Sequence, residues 1–534
     1  MATTKNVVKK GLFRDSVQMM LLTQELKKEV GLIDAAIVMG TGLNKDTLLR
    51  CGLLTNEGAN ASASDTIISI TCEDESSLKR AVEKAEALLT KNPEQMKADY
   101  QSVESALSAF DGATMATLSI PGQYVREVAS KMIEKKLHVF VFSDHVPLKD
   151  EIDLKLVAAR NNLLFMGPEA GTSIINGVVL GFGNLVRRGN IGIIGASGTG
   201  IQESSTLLHF CSSGISHAIG VGGRDMKKEV DGIMTLQAIA AFEEDPNTKA
   251  IIIVSKPVDS QMRDRIVNVV KKSSQKNYVL CLIGDPTGFN ETKEVRFAKS
   301  IQAAVLKALE TVDRPNFEAS RQRYKQEAKM CVKFANYVSK SLISGQNYAR
   351  GLFAGGTLCY ESKVILEELL GPVFSNLSTN SNYHLSGRDE SRENTMIDFG
   401  EEEFTSARPH PIIDPSFRIE RLMREARDPS VGVIVMDLIV GYGVAKDSVE
   451  SHSKAIREAI EIAGNANRTL HIFLYVCGTD SEVSAGDLDA LRESGAQIFS
   501  SNALMAVTAG LVLRKPQKQL LHRLVHDYLG VDIN

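Results

Sequence analysis

The 534 residues are too many for one hydrophobic core, and a chain of this length predicts about three domains. Hydrophobic residues at 43% and charged residues at 24% are ordinary globular values, and 61 basic against 65 acidic side chains leave a net charge of −4. This balance argues against nucleic acid or an acidic membrane as a partner of the whole molecule, whereas a local basic pocket for small anions remains possible.

The sequence shows no sign of export or of a membrane anchor. The first twenty residues lack the apolar core of a signal peptide, and no later run approaches the roughly 18 apolar residues that span a bilayer. Seven cysteines are scattered singly without a Cys-x-x-Cys pair, which favours reduced thiols over disulfides or a zinc site. We therefore expect a cytoplasmic protein without a metal site.

Strand-like and helical runs alternate along the first part of the chain. This alternation, with strands that would be buried on both faces, predicts a parallel sheet between helices, a Rossmann-like domain over residues 1–185. The predicted strands are residues 34–40, 66–72, 115–120, 137–143 and 163–168.

Two further α/β series follow. The first occupies residues 186–315, and residues 316–344 then show helical periodicity without strand signals, which predicts a long connecting helix. The second series occupies residues 345–534 and is interrupted at 375–394 by a polar stretch that predicts a loop excursion.

The two later series repeat one pattern. "GIIGASGTGIQES" parallels "GLFAGGTLCYES", and each is followed by a helix, an Asp-Pro pair and a buried strand. The order of these features predicts a duplicated domain. A chance likeness between two α/β segments is the alternative.

A glycine turn lies between a strand and a helix in the first copy. Glycine leaves no Cβ between backbone and ligand, so the turn amides, at the positive end of the helix, can converge on a phosphate or carboxylate. A tight structural turn is the alternative, because the spacing matches neither a Walker loop nor the dinucleotide fingerprint. The candidate phosphate-binding residues are Ser197, Gly198, Thr199 and Gly200, with Gly355, Gly356 and Thr357 in the second copy.

Charged residues follow several predicted strands, where ligands of open α/β sheets gather. Arg224 and Lys256 stand at two such strand ends, and Arg408 and His410 lie in a proline-rich loop at 406–414. We expect Lys256 to help bind phosphate and the other three to be catalytic, although each alone could be an ordinary surface charge. His145 is either catalytic or a loop residue. No metal-ligand spacing and no Gly-x-Ser-x-Gly elbow is present.

Longer stretches resemble a known family. "HVPLKDEIDLKLVAARNNLLFMGPEAGTSIINGVVLGF" and "RGNIGIIGASGTGIQE" resemble the α subunit of succinyl-CoA synthetase and its ATP-citrate lyase relatives. The segment that begins "GLFAGGTLCYES" resembles the carboxyl-terminal ligase domain of the β subunit. Together with "VGGRD" and "RPHPIIDP", the chain is identified as a member of the FdrA family. The resemblance implies a Rossmann-like, CoA-binding-type domain followed by two flavodoxin-like domains of the succinyl-CoA ligase type.

The departures from the synthetases bear on function. The phosphohistidine loop is replaced by "IGDPTGFNETKEVRFAKS", the ATP-grasp domain is missing, and "VMGTGLNKDTLL" only partly resembles the CoA turn. The FdrA resemblance implies instead a subunit of oxamate carbamoyltransferase in allantoin catabolism, which needs small anionic substrates, companion subunits and no cofactor. The alternatives are an acyl-CoA synthetase subunit, with CoA as cofactor, and a non-catalytic regulatory protein on a ligase fold.

Overall fold

The computed structural model describes residues 3–12, 16–90, 100, 102–110, 112–272, 276–285, 291–386, 390–405 and 409–533. Within these residues the chain forms four sheets, two of three strands, one of six and one of seven, with helices packed on them. The expected α/β class is confirmed, because both large sheets are mainly parallel. No described helix is both long enough and apolar enough to cross a bilayer.

The first ninety residues differ from the expected Rossmann-like domain. They form an antiparallel sheet in the order β1-β3-β2. Strands β2 and β3 lie where the sequence predicts them, whereas β1 was not predicted. Strand β3 is covered on both faces, by the cluster of Ile68 and Ile70 and by that of Ile67, so its apolar run resembles a parallel strand. The elements are β1 Thr3–Lys9, α1 Ser16–Lys27, β2 Leu32–Met39, α2 Gly42–Arg50, α3 Asn56–Ala59, β3 Thr66–Cys72 and α4 Glu75–Thr90.

A small parallel unit follows, with the sheet order β4-β5-β6 and parallel pairing throughout. It is the part of residues 1–185 that has the predicted parallel arrangement. A 3₁₀ turn at Gly122–Tyr124 leads into α6. The elements are α5 Val103–Ala109, β4 Met115–Leu118, α6 Val125–Glu134, β5 His138–Val141, α7 Leu148–Arg160 and β6 Phe165–Met166.

The third unit is built on the seven-stranded sheet, whose order is β13-β12-β11-β9-β10-β7-β8. Strands β7 and β8 form an antiparallel hairpin at its edge. The elements are β7 Thr172–Ile175, β8 Val178–Gly181, β9 Arg188–Gly195, α8 Gly198–Phe210, β10 Ile215–Gly220, α9 Ile233–Glu244, β11 Ala250–Ser255, α10 Ser260–Val270, β12 Asn277–Leu282, β13 Val295–Phe297 and α11 Ile301–Val312.

The predicted connecting helix is α12, Arg314–Val338. It begins where Asp313 accepts a hydrogen bond from the Asn316 amide, 3.4 Å away, and Pro315 occupies the first turn, where a missing N–H costs little. A 3₁₀ turn, Ser339–Ser341, ends it before the predicted residue 344.

The last unit carries the six-stranded sheet, in the order β15-β16-β14-β17-β18-β19. Its elements are β14 Tyr348–Phe353, α13 Gly356–Leu370, β15 Phe374–Ser375, β16 Thr395–Asp398, α14 Glu402–Thr405, α15 Ser416–Arg427, β17 Val431–Ile439, α16 Ser448–Asn465, β18 His471–Cys477, α17 Ala485–Glu493, β19 Ala496–Phe499, α18 Asn502–Leu513 and α19 Lys518–Leu529.

The predicted duplication is visible in the strand order. In the third unit β9 lies between β10 and β11, followed by β12 and β13, and in the last unit β14 lies between β16 and β17, followed by β18 and β19. Both are the flavodoxin-like order 2-1-3-4-5. Each glycine turn therefore follows the first strand of its copy, at the point where the strand order reverses and ligands of such sheets bind.

Candidate functional site

The two glycine turns contact each other across the boundary between the copies. A Cβ placed on Gly200 would lie 3.3 Å from Cγ2 of Thr357, and one placed on Gly355 would lie 3.0 Å from Cγ2 of Thr199. The N-terminal ends of α8 and α13 are therefore adjacent. Since each helix end carries roughly half a positive charge, their contact produces a focus of positive potential.

The amides of the α8 turn have no acceptor among the described residues. Ser197 is the N-cap residue, and its side chain does not cap the helix. In the described part of the chain, none of the amides of Ser197, Gly198, Thr199 and Gly200 has an acceptor. The anion-binding role of these four residues stays a prediction, and their amides are available as donors for it.

The α13 turn is partly occupied by the protein itself. The amides of Ala354 and Gly355 donate to the carboxylate of Asp437, at 2.8 and 2.7 Å. The amides of Gly356 and Thr357 have no acceptor among the residues that the structure describes. Of the three predicted residues in this turn, Gly355 therefore already donates its amide hydrogen bond to an internal carboxylate.

Two buried threonine hydroxyls next to the turns lack hydrogen-bond partners within the described residues. They are Oγ1 of Thr172 and Oγ1 of Thr357. The first lies 2.9 Å from the position of a Cβ on Gly198, and the second lies 3.5 Å from that of a Cβ on Gly200. An unsatisfied buried polar group costs about 1–3 kcal/mol, so two of them beside free amides indicate a ligand that is itself polar.

Lys256 brings a positive charge from one copy to the other. It follows β11, and its Nζ lies 2.9 Å from Oε1 of Glu401, in the loop after β16. The same Nζ lies 3.1 Å from the position of a Cβ on Gly356, so the ammonium group is at the N-terminus of α13. Burial alone would lower the pKa of Lys256, but Asp398 and Glu401 outweigh burial and raise it. Lys256 is therefore charged, as its predicted role requires.

Asp398, at the end of β16, lies beside Lys256 at the N-terminus of α13. Its Oδ2 lies against Gly356, and its Oδ1 accepts a hydrogen bond from the Gly400 amide at 2.8 Å. Burial raises the pKa of Asp398 to about 7, against the opposing effect of Lys256. The sequence analysis did not single out Asp398, although it follows the strand "TMID" and the strand-end rule that selected Lys256 applies to it as well.

His410 reaches the same loop. Its Nε2 lies 2.7 Å from the position of a Cβ on Gly400, and that position is also 3.1 Å from Oδ1 of Asp398. Burial, helped by Arg418, lowers the pKa of His410 to about 4, so the imidazole is neutral near pH 7. Its predicted partner in the loop, Arg408, lies outside the described residues.

Arg224 makes its contacts elsewhere. Its Nε pairs with Oε2 of Glu151 at 2.8 Å, and its Nη2 donates to the carbonyl of Val146. Both partners belong to the parallel β4–β6 unit, in α7 and the loop before it. Arg224 therefore joins two units, and these contacts do not direct its guanidinium to the glycine turns, which its predicted catalytic role would require.

A pair of glutamates lies deeper between the copies. Glu203 and Glu361 are the sixth residues of α8 and α13, and both are buried. Asn502 connects them, with its amide 3.2 Å from Glu203 and its Nδ2 2.8 Å from Glu361. Burial raises the pKa of Glu361 to about 7 and that of Glu203 well above its usual range. The repeat "ES" in both copies was the sequence signal for this pair.

Family models match three parts of the chain. They are the heavy metal-associated domain of AllF at residues 1–106, a CoA binding domain at 186–275 and a CoA-ligase at 352–512. The fold and the paired turns thus define a protein of the succinyl-CoA synthetase-like class.

Individual relatives make the assignment more specific. The chain is 35% identical to YahF of Escherichia coli K12 over 96% of its own length and 98% of that protein's. It is 25% identical to the succinate–CoA ligase α subunit of Methanothermobacter thermautotrophicus, over 33% of this chain and 59% of that one. A phosphate and ADP complex of acetyl-coenzyme A synthetase 1 from Ca. Korarchaeum cryptofilum aligns with 82% of this chain and 89% of its own, at 15% identity and a TM-score of 0.31. The chain belongs to the FdrA family.

The matched models imply two groups, a heavy metal and CoA, and the residues present fit neither. Residues 1–106 contain no histidine and two cysteines, Cys51 and Cys72, and no metal-binding cluster occurs among the described residues. In the α8 turn, inside the CoA-binding match, a Cβ placed on Gly200 would lie 3.3 Å from Cγ2 of Thr357, so the second copy covers this turn closely. After β4, a Cβ on Gly122 would meet the backbone of His145 at 2.5 Å, so the backbone of the next loop fills this turn.

Proposed function

We propose that this protein is a subunit of an oxamate carbamoyltransferase, which interconverts oxalurate plus phosphate with oxamate plus carbamoyl phosphate. The observation that carries the proposal is the contact of two helix N-termini with free amides and two unpartnered buried hydroxyls, with Lys256 beside them. Such a site suits phosphate, and the reaction requires phosphate without a nucleotide.

The chemistry requires two anions to be held together. A phosphate oxygen attacks the carbamoyl carbon of oxalurate, and a negatively charged tetrahedral centre forms before the carbon–nitrogen bond breaks. Two unit charges about 4 Å apart repel by roughly 4 kcal/mol in a surface-like dielectric, so more than one positive centre is needed. Lys256 and the ends of α8 and α13 supply these centres, and turn amides stabilise the developing oxyanion.

The predicted arginines complete the proposal. Arg408 can offer a bidentate fork to the oxalurate carboxylate, a geometry that lysine lacks. We assign Arg408 to that carboxylate and Lys256 to phosphate, while Arg224 holds the neighbouring unit in place through Glu151.

The chain offers no residue for the phosphohistidine relay of a nucleotide-driven ligase. No histidine occurs between His217 and His384, the region that contains the loop after β12. Loss of that relay is tolerable in phosphorolysis, because the phosphate attacks its acceptor directly. We therefore expect no acid-labile, base-stable label on the protein after incubation with labelled ATP.

The test uses the chain assembled with companion subunits, the products of its neighbouring genes. We expect phosphate-dependent release of oxamate and carbamoyl phosphate from oxalurate. Thr357→Val should weaken phosphate binding by about tenfold, and it should leave the unfolding temperature unchanged or raised, because the lost hydroxyl has no partner to lose.

Thr508→Val is the matched control. The Thr508 hydroxyl is equally buried but donates to the carbonyl of Leu504 at 2.7 Å, so this substitution should lower stability and leave phosphate binding intact. Absence of oxalurate cleavage by the assembled wild-type complex contradicts the proposal. CoA-dependent acyl transfer would favour the ligase alternative, and inertness toward all small anions would favour the regulatory one.

A further inference from the structure

We propose that Asp398 is the catalytic acid and base of this site, moving one proton from phosphate to the leaving nitrogen of the substrate. The inference rests on the proposed function and adds the residue that completes its chemistry.

The backbone around Asp398 holds its carboxyl group in one place. The Asp398 amide donates to Oδ1 of Asn376 at 3.0 Å, and the Asp398 carbonyl accepts from Nδ2 of the same residue at 2.9 Å. One carboxyl oxygen, Oδ1, accepts from the Gly400 amide. The other, Oδ2, lies at the N-terminus of α13 against Gly356, beside the Lys256 ammonium group. This oxygen is therefore presented to the place where we locate phosphate.

The charged neighbours allow both protonation states of Asp398. The charged groups that face it are Lys256, Glu401 and Asp437, and the neutral titratable groups are Cys359 and His410. Burial raises the pKa of Asp398 to about 7. Burial also acts to raise the pKa of Glu401, but Lys256 together with Lys227 and Asp398 outweighs burial, and the pKa of Glu401 is lowered. Glu401 thus stays ionised as the partner of Lys256, and Asp398 can gain and lose a proton near neutral pH. Two carboxyl groups with separated pKa values commonly divide the roles of acid and ion-pair partner in this way.

The other titratable neighbours are less suited to this role. Asp437 is held by two backbone amides and by Arg418, whose Nη1 lies 2.7 Å away. Burial lowers the pKa of His410 to about 4, so near pH 7 it is a neutral imidazole without the acidic proton of the imidazolium form. Burial raises the pKa of Cys359 well above its usual range, which leaves it a neutral thiol.

The proton balance of the reaction needs one such group. Hydrogen phosphate forms a bond from oxygen to the carbamoyl carbon, and the bond from that carbon to the oxamate nitrogen breaks. The electron pair of the broken bond goes to nitrogen, which must take a proton to leave as the neutral amide of oxamate. Hydrogen phosphate carries one proton that carbamoyl phosphate no longer has. Protonated Asp398 gives its proton to nitrogen and regains one from phosphate, so nothing is left over.

The experiment measures kcat and phosphate affinity of the Asp398→Asn variant in the assembled complex. We expect kcat to fall by about 10²–10⁴-fold, the usual contribution of a general acid or base, with phosphate affinity changed less than about threefold. The limb of the wild-type kcat profile near pH 7 should disappear, and Asp398→Glu should restore part of the rate. Glu402→Gln, which alters an exposed carboxylate at the start of α14, is the control and should behave as wild type.

The outcomes separate the two proposals. An inactive wild-type complex contradicts the carbamoyltransferase assignment and, with it, the role of Asp398 in proton transfer. An active wild type with an Asp398→Asn variant of nearly full kcat overturns the role of Asp398 alone. Parallel loss of kcat and phosphate affinity, with the limb near pH 7 retained, assigns Asp398 to binding and overturns proton transfer.

Discussion

At the scale of single residues, the most unusual feature is the pair of buried carboxyl groups between the copies. Glu203 and Glu361 occupy equivalent helix positions, and Asn502 bonds to both. Desolvation is the largest cause of the raised pKa of each. A protonated carboxyl group costs far less to bury than an ionised one, so the pair is held at the expense of stability at high pH.

Glu361→Gln should expose this cost. Between pH 4.5, the ordinary value, and about 7, the unfolded chain has lost the Glu361 proton that the folded chain keeps, so rising pH lowers the free energy of unfolding. Glutamine cannot ionise. We expect the variant to gain about 1–3 kcal/mol relative to wild type between pH 5 and pH 8 in urea titrations. Glu367→Gln, paired with Lys363 on the same helix, should show no such trend, and an equal trend in both would contradict the assignment.

At the scale of elements, the glycines that begin α8 and α13 allow the two copies to meet. Side chains there would stand between the turns, because Gly200 lies 3.3 Å from Thr357 and Gly355 lies 3.0 Å from Thr199, measured from an ideal Cβ. Neither helix needs glycine for its own stability, since glycine is a poor helix former. The glycines are therefore explained by the contact between helices.

Gly356→Ala tests whether the anion lies at the start of α13. Its Cβ would meet Oδ2 of Asp398 and would lie 3.1 Å from Nζ of Lys256, so both charged groups would have to move. We expect at least about tenfold weaker phosphate binding by calorimetry, because each 1.4 kcal/mol lost is a factor of ten. Gly464→Ala, near the end of α16 with open space around it, should bind normally and gain up to about 1 kcal/mol. Normal binding by Gly356→Ala would place the anion elsewhere.

At the scale of the whole molecule, a buried ionic cluster attaches the β4–β6 unit to the first ligase-like copy. Nζ of Lys155 contacts Glu151 and Asp225 at 2.8 Å each, and all three side chains are fully buried. Asp225 also accepts hydrogen bonds from the start of α9. Arg224 pairs with Glu151 from the other side. The cluster sets the position of the unit because its charges are satisfied only when the two parts are together.

Lys155→Met should therefore separate them. Two buried carboxylates would lose their shared cation, which costs about 3–5 kcal/mol in comparable cases. We expect a lower urea midpoint and faster proteolysis within residues 119–160. Lys131→Met removes an exposed partner of Glu127 and should leave the urea midpoint nearly unchanged, because solvent screens such a pair. Similar stability in the two variants would show that apolar packing alone attaches the unit.

What the sequence by itself determined is local. The positions of β2 and β3, the connecting helix and the repeated strand, glycine turn and helix follow from short patterns of apolar and glycine residues. The structure confirms them, although the connecting helix ends before residue 344 and β1 was not predicted. The roles assigned to the turn residues remain predictions. Asp398 could have been predicted from its place at the end of a strand, where ligands of open α/β sheets bind, whereas no pattern in the sequence marks Thr172.

Only the tertiary structure decided how distant segments pair. The apolar runs of β2 and β3 are correct as strands, yet their antiparallel direction depends on partners far along the chain. Arg224 follows a strand end as predicted, but its ion-pair partner, Glu151, belongs to another unit. A buried ion is removed from water, so it needs a partner of opposite charge close to it in space. Sequence separation carries no information on that distance.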